Sequence, residues 1–183
     1  KPPSSRKHSR NAAQRSRPAG LWGKDTLLIE RMSQDGRGVA SSNGKIVFVS
    51  GALAGEQVRA QCTAVKRDYD EADMIELLKD TAPSVQRVQP PCPVYQRCGG
   101  CSLQHCSLAA QQQHQQVSLV AMLQSVVPAL SLDPPVTSQA TGFRHRLRLL
   151  VTRTAEKGYV LGLRQRQSHV TESLQHCLVT NEV

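Results

Sequence analysis

Residues 57–65 read QVRAQCTAV. Strict alternation puts Val58, Ala60, Cys62 and Ala64 on one face and Arg59, Gln61 and Thr63 on the other, the period-two pattern of a strand with one dry and one wet side. Working outward, TLLIE at 26–30, KIVFVS at 45–50 and ADMIELL at 72–78 read as further strands. The breaks between them are turn-like: DGRG at 35–38, SNG at 42–44 and GALAGE at 51–56, where Gly or Asn accepts positive φ. Several short strands in so small a span predict a closed barrel of the OB type. Cys62 then falls in its core as a small buried residue rather than a ligand.

The chain has 183 residues, of which 39% are apolar, and it contains no run approaching the roughly 20 apolar residues that a bilayer crossing needs. That excludes a membrane protein, and a cytoplasmic monomer is expected. Charge is uneven: 23 Lys and Arg stand against 14 Asp and Glu, a formal +9. Residues 1–20, KPPSSRKHSRNAAQRSRPAG, hold six of the basic residues and no acid. With nothing to bury, this segment is expected to be disordered, either a solvated solubility tail or a cationic arm suited to nucleic acid through counterion release. The chain starts at Lys1, and no apolar h-region follows the basic beginning. A secretory signal is excluded, and a piece of a longer protein is expected.

Four of the six cysteines, Cys92, Cys98, Cys101 and Cys106, are clustered, which in a chain without export signals favours metal ligation over disulfides. The core of the cluster is CPVYQRCGGC at 92–101. Cys92, Cys98 and Cys101 are close enough to share one centre, and Gly99 and Gly100 are read as the residues that permit the tight loop. Cys177 in QHCLV is the best fourth ligand, because Cys62 belongs to the barrel and Cys106 to a helix start. Spacing alone leaves three readings open: zinc accepts four thiolates but favours paired CxxC knuckles, iron–sulfur clusters tolerate irregular spacing with a distant last member, and free or catalytic thiols are the third. His105 and His114 are read as capping or surface residues.

Residues 81–91 form a Pro-containing connector, and 107–127 a packed helix with Ser107 as N-cap, ended by Pro128. Two β-like runs follow, 143–152 (FRHRLRLLVT) and 158–164 (GYVLGLR), expected to pair antiparallel through AEKG at 155–158. Period two in the first run aligns Arg144, Arg146 and Arg148 on one face, roughly 6.6 Å apart, similar to the phosphate spacing of a single strand. With Arg153, Lys157, Arg164 and Arg166, seven bases face one acid, Glu156, in this region. A solvated outer face is the plain alternative; the imbalance favours RNA contact, with Arg144, Arg146, Arg148, Arg164 and Arg166 as candidates.

The segment from Asp25 to Leu78, centred on QDGRGVASSNGKIVFVSGALAGEQV, resembles a TRAM domain, a small OB-like RNA-binding module. CPVYQRCGGCSLQH resembles the cluster motif of bacterial RNA (uracil-5-)-methyltransferases, and TGFRHRLRL, GLRQRQSH and HCLV are similar to the start of the central domain of those enzymes. The resemblance is greatest to the 23S rRNA enzymes that carry both features. It implies a mainly β chain with some α: an OB-like TRAM barrel over 21–82, a cluster-binding segment over 83–106, and the beginning of an α+β central domain over 107–183. It further implies a 4Fe-4S cluster on Cys92, Cys98, Cys101 and Cys177 with a structural role, 23S rRNA as partner and S-adenosylmethionine as methyl donor. No Gly-rich methyltransferase loop and no spare nucleophilic cysteine are present, so the Rossmann-like catalytic domain is absent and the chain alone is expected to be inactive. The main alternative is a free-standing RNA-binding protein with structural zinc. A radical S-adenosylmethionine enzyme with a TRAM module is disfavoured, because it needs cysteines spaced by three and two residues.

Overall fold

Val47, Val49 and Val58 are fully excluded from water and Ile29 is 1% exposed, and the strands that carry them wrap around one apolar centre. Burying each such side chain contributes about 1.5–3 kcal/mol. The structure is a computed structural model that describes residues 26–78, 86–124, 126–155 and 158–181. The basic arm at 1–20 and much of the connector expected at 81–91 lie outside the described residues.

The barrel is built from β1 (Thr26–Leu28), β2 (Arg31–Met32), β3 (Gly38–Ser42), β4 (Lys45–Ser50), β5 (Gln57–Val65) and β6 (Tyr69–Leu77), in the order β1-β5-β6-β4-β3-β2. β4 and β6 run parallel, and the other neighbours antiparallel. The two end strands are halves of one run. At the break between them, the Ile29 N–H donates to the Glu56 carbonyl and the Glu30 N–H to the Val39 carbonyl. The run thus pairs with β5 at its start and β3 at its end, which curls the sheet onto itself.

The alternation in β5 holds: Val58, Ala60 and Cys62 are buried and Arg59, Gln61 and Thr63 exposed. A bulge between Cys62 and Ala64 takes Ala64 out of the fully buried set. Asn43 and Gly44 both have positive φ in the turn between β3 and β4, as the SNG reading requires. β3 lies outside the expected strands, because its sequence GVASS carries few β-formers. β6 begins at Tyr69, earlier than the expected 72; side-chain pairing holds its acidic start, with Asp70 on Lys45, Glu71 on Arg37, and the Tyr69 ring edge-on to Phe48 at 5.3 Å.

A second, smaller core joins barrel to helix: Leu53, Cys106 and Ala110, with Met32 and Leu103 against them. Helix α1 (Leu108–Gln124) is capped by Ser107, whose hydroxyl accepts the Ala110 N–H at 3.3 Å. Its packing corrects the expectation. Only Ala110 is buried, while Leu108, Val117, Leu119 and Met122 are exposed. At 100° per residue Leu108 and Val117 lie on opposite sides of the helix, so its apolar residues never form one stripe.

Beyond the helix lies an antiparallel sheet of β7 (Leu150–Thr154), β8 (Gly158–Arg164) and β9 (Thr171–Ser173). β7 and β8 form the expected hairpin, with Thr154 paired to Gly158. The strand does not extend back over the arginine row. Residues 143–149 are irregular, and only Arg144 forms an isolated bridge, to Thr180. A single-faced row of Arg144, Arg146 and Arg148 on one strand is therefore corrected; in this stretch the Arg144 backbone instead pairs with the segment after Cys177, its N–H on the Val179 carbonyl and its carbonyl accepting from the Asn181 N–H.

Candidate metal centre and adjoining groove

The loop from Cys92 to Cys101 is wound in tight turns: the Tyr95 N–H donates to the Cys92 carbonyl and the Cys98 N–H to the Val94 carbonyl at 2.8 Å. Cys177 lies on a separate turn, its carbonyl accepting from both the N–H and the hydroxyl of Thr180. That turn is fastened by the Gly142 N–H on Leu178 O and the Arg144 N–H on Val179 O.

These two pieces bring Cys92, Cys98, Cys101 and Cys177 around one cavity of about 210 Å³, walled by Leu147, Leu163, Leu174 and Leu178. All six cysteines are free thiols. Cys62 and Cys106 are buried in the two cores and do not face the cavity. Burial pushes the Cys98 thiol up, and the charges of Cys101, Cys92 and Cys177 push the same way; the Gly100 N–H, 3.4 Å from the sulfur, opposes them.

A zinc ion, with Zn–S bonds of about 2.3 Å, would need its four sulfurs gathered tightly around a point. Among the described residues no group of three or more His, Cys, Asp or Glu converges on a single ion. Four thiols facing one apolar chamber match the donor chemistry of an iron–sulfur cluster.

Gly99 and Gly100 act differently from the expectation. Neither has φ in the left-handed region. A Cβ on Gly99 would lie 2.9 Å from the Arg164 carbonyl, and one on Gly100 would lie 2.8 Å from Leu163 Cδ1. Gly99 is needed for close approach to the β8 backbone, whereas at Gly100 only the end of the flexible Leu163 side chain would have to move. His105, read as a surface or capping residue, is 3% exposed: Nδ1 lies 2.6 Å from the Tyr95 hydroxyl, which itself donates to the Ser102 carbonyl.

A groove of about 770 Å³ adjoins the cavity, with Asp35 and Arg37 on its barrel side, Cys101 on the loop side, and Arg148 and Arg164 opposite. Arg148 borders both spaces. The five candidate RNA arginines therefore separate. Arg148 and Arg164 face the groove, and Arg144 borders the thiol cavity. Arg146 is exposed and lines neither space. Arg166 borders the groove but turns its guanidinium onto the cysteine loop, donating to the carbonyls of Tyr95, Cys98 and Cys101. Arg37 and His169 join the groove unannounced by sequence, since nothing local in DGRG or QSHV marks them as neighbours.

Residues 26–75 match the TRAM domain family, so the curled barrel is a TRAM domain. The longer stretch is similar to 23S rRNA (uracil(1939)-C(5))-methyltransferase RlmD: 40% identical over 158 residues to the protein of Francisella tularensis subsp. holarctica (strain OSU18), and 40% over 163 residues to that of Legionella pneumophila (strain Lens). These alignments cover 84% and 85% of this chain but 34% and 35% of the relatives. The chain spans about a third of their length. Among the described residues no helix is long and apolar enough to cross a membrane.

Proposed function

We propose that this chain is the RNA-recognising and cluster-holding front part of a 23S rRNA (uracil-5-)-methyltransferase, which moves a methyl group from S-adenosylmethionine to carbon 5 of a uridine. One juxtaposition carries the reading: four thiols around one chamber that shares Arg148 with a groove reaching the TRAM barrel. Cys92, Cys98, Cys101 and Cys177 hold a 4Fe-4S cluster, which when bound supplies a structural brace and takes no part in methyl transfer. Arg148 and Arg164 neutralise phosphates in the groove, Arg144 and Arg146 extend the basic surface along 144–148, and the TRAM barrel bounds the opposite side. S-adenosylmethionine binds in the remainder of the enzyme, so this chain alone transfers no methyl group.

Anaerobic purification tests the reading. A brown protein with broad visible absorption and about four irons per chain is expected. Cys177→Ser loses most of the iron, and Cys106→Ser keeps it; the reverse overturns the ligand set. A colourless protein with stoichiometric zinc replaces the reading with a free-standing RNA-binding protein.

A further inference from the structure

Arg166 is half-buried and sits where no phosphate could use most of its donors. Its Nη2 donates to the Cys101 carbonyl at 2.7 Å and the Tyr95 carbonyl at 3.2 Å, and its Nε to the Cys98 carbonyl at 3.2 Å. Two of those three carbonyls belong to candidate ligands. The guanidinium also lies over the Tyr95 ring, 4.6 Å from its centroid. Tyr95 is a firm anvil: 6% exposed, its hydroxyl donating to Ser102 O and meeting His105 Nδ1, each at 2.6 Å.

The backbone repeats the attachment. The Arg166 N–H donates to Arg97 O and the Gly99 N–H to Arg164 O, each at 2.9 Å, and Cys98 bridges Gln165. Glu172 on β9 accepts from Arg97 at 2.7 Å and from the Gln165 amide at 2.8 Å. Cys98 and Cys101 are thus pinned to the far end of β8 by contacts that need no metal.

We infer that Arg166 is a positioning residue that shapes the three-cysteine loop for its cluster before the cluster arrives. It acts through backbone carbonyls, leaving the thiols free, and a planar fork reaches three acceptors where an ammonium would reach fewer. The inference rests on the cluster reading, but its first readout does not. Amide exchange on the iron-free chain measures protection of the Gly99 and Arg166 N–H groups. Arg166→Gln loses that protection, Arg166→Lys falls between Gln and wild type, and Arg67→Gln, a control whose side chain is 96% exposed, changes nothing.

In reconstituted protein, iron release to a chelator speeds up roughly 10- to 100-fold in Arg166→Gln, the usual cost of losing a group that orients ligands, with Lys again intermediate. Unchanged Gly99 protection together with unchanged iron release overturns the inference. So does a variant that keeps its iron and loses only RNA affinity, which would make Arg166 a phosphate contact. A wild-type chain that takes up no iron overturns the cluster reading instead, while the exchange comparison still decides the role of Arg166.

Discussion

Glu56 and Arg87 form the joint between barrel and cysteine segment. The Glu56 carboxylate is fully buried; it accepts the Leu53 N–H at 2.7 Å and a two-pronged contact from Arg87, which also donates to Gly51 O. Removing one partner strands the other, so Glu56→Ala should destabilise the chain by about 3–5 kcal/mol, while replacing both with apolar residues of similar volume should cost far less. Urea unfolding of the two variants measures the difference. Close by, burial first and the Arg87 charge second hold the His105 imidazole down to about 4 from an ordinary 6.5. The unfolded chain therefore binds a proton that the folded chain refuses. Stability is full above about pH 6.5 and falls as pH drops toward 4, by about 3 kcal/mol in all; His105→Gln should flatten that limb in a pH series of unfolding midpoints. Neither residue announces itself in sequence. Glu56 closes a turn-like GALAGE and His105 sits in a polar stretch, and only the fold brings Arg87 to both.

At the scale of elements, β4 and β5 were legible to the residue because their inward positions carry Val, Ala and Cys on a strict period of two. The acidic start of β6 and the Ser-rich β3 were not, since cross-strand partners supply what their own side chains lack. The helix was legible in its start and cap but not in its end, which comes at Gln124 rather than at 127, nor in packing, for its apolar residues are scattered around the axis. β9 was missed because three residues, Thr171–Ser173, carry too little pattern to register. Its union with β8 depends on Gly162: a Cβ there would lie 1.7 Å from the Glu172 carbonyl. Gly162→Ala should therefore separate β9 from β8 and free Glu172 from Arg97. Loss of amide protection at Leu163, with the barrel's protection intact, is the expected outcome.

Across the whole molecule, the formal +9 is a poor guide to where the proposed RNA contact would lie. The barrel's β6 carries Glu71, Asp73 and Glu76 toward its outer face, whereas Arg148 and Arg164 gather in the groove between barrel, loop and second sheet. Replacing both arginines with Gln should reduce the slope of log K against log salt by about 0.7 for each phosphate that is no longer neutralised. Titrating a single-stranded RNA at several salt concentrations measures this, and an unchanged slope would return the pair to ordinary surface charge. That Cys92, Cys98 and Cys101 are neighbours was legible from their spacing within one loop; the groove was not, since its walls come from three distant parts of the chain. The same distance gives the thiol chamber a topological meaning. Whatever group binds all four sulfurs ties Cys101 to Cys177 and closes a loop of about 75 residues, a restraint that in a disulfide would be worth roughly 4.5 kcal/mol of chain entropy. Iron-loaded protein should accordingly melt well above the chelator-stripped form, and oxidative loss of the group would act on helix α1 and the second sheet as cutting a covalent cross-link does.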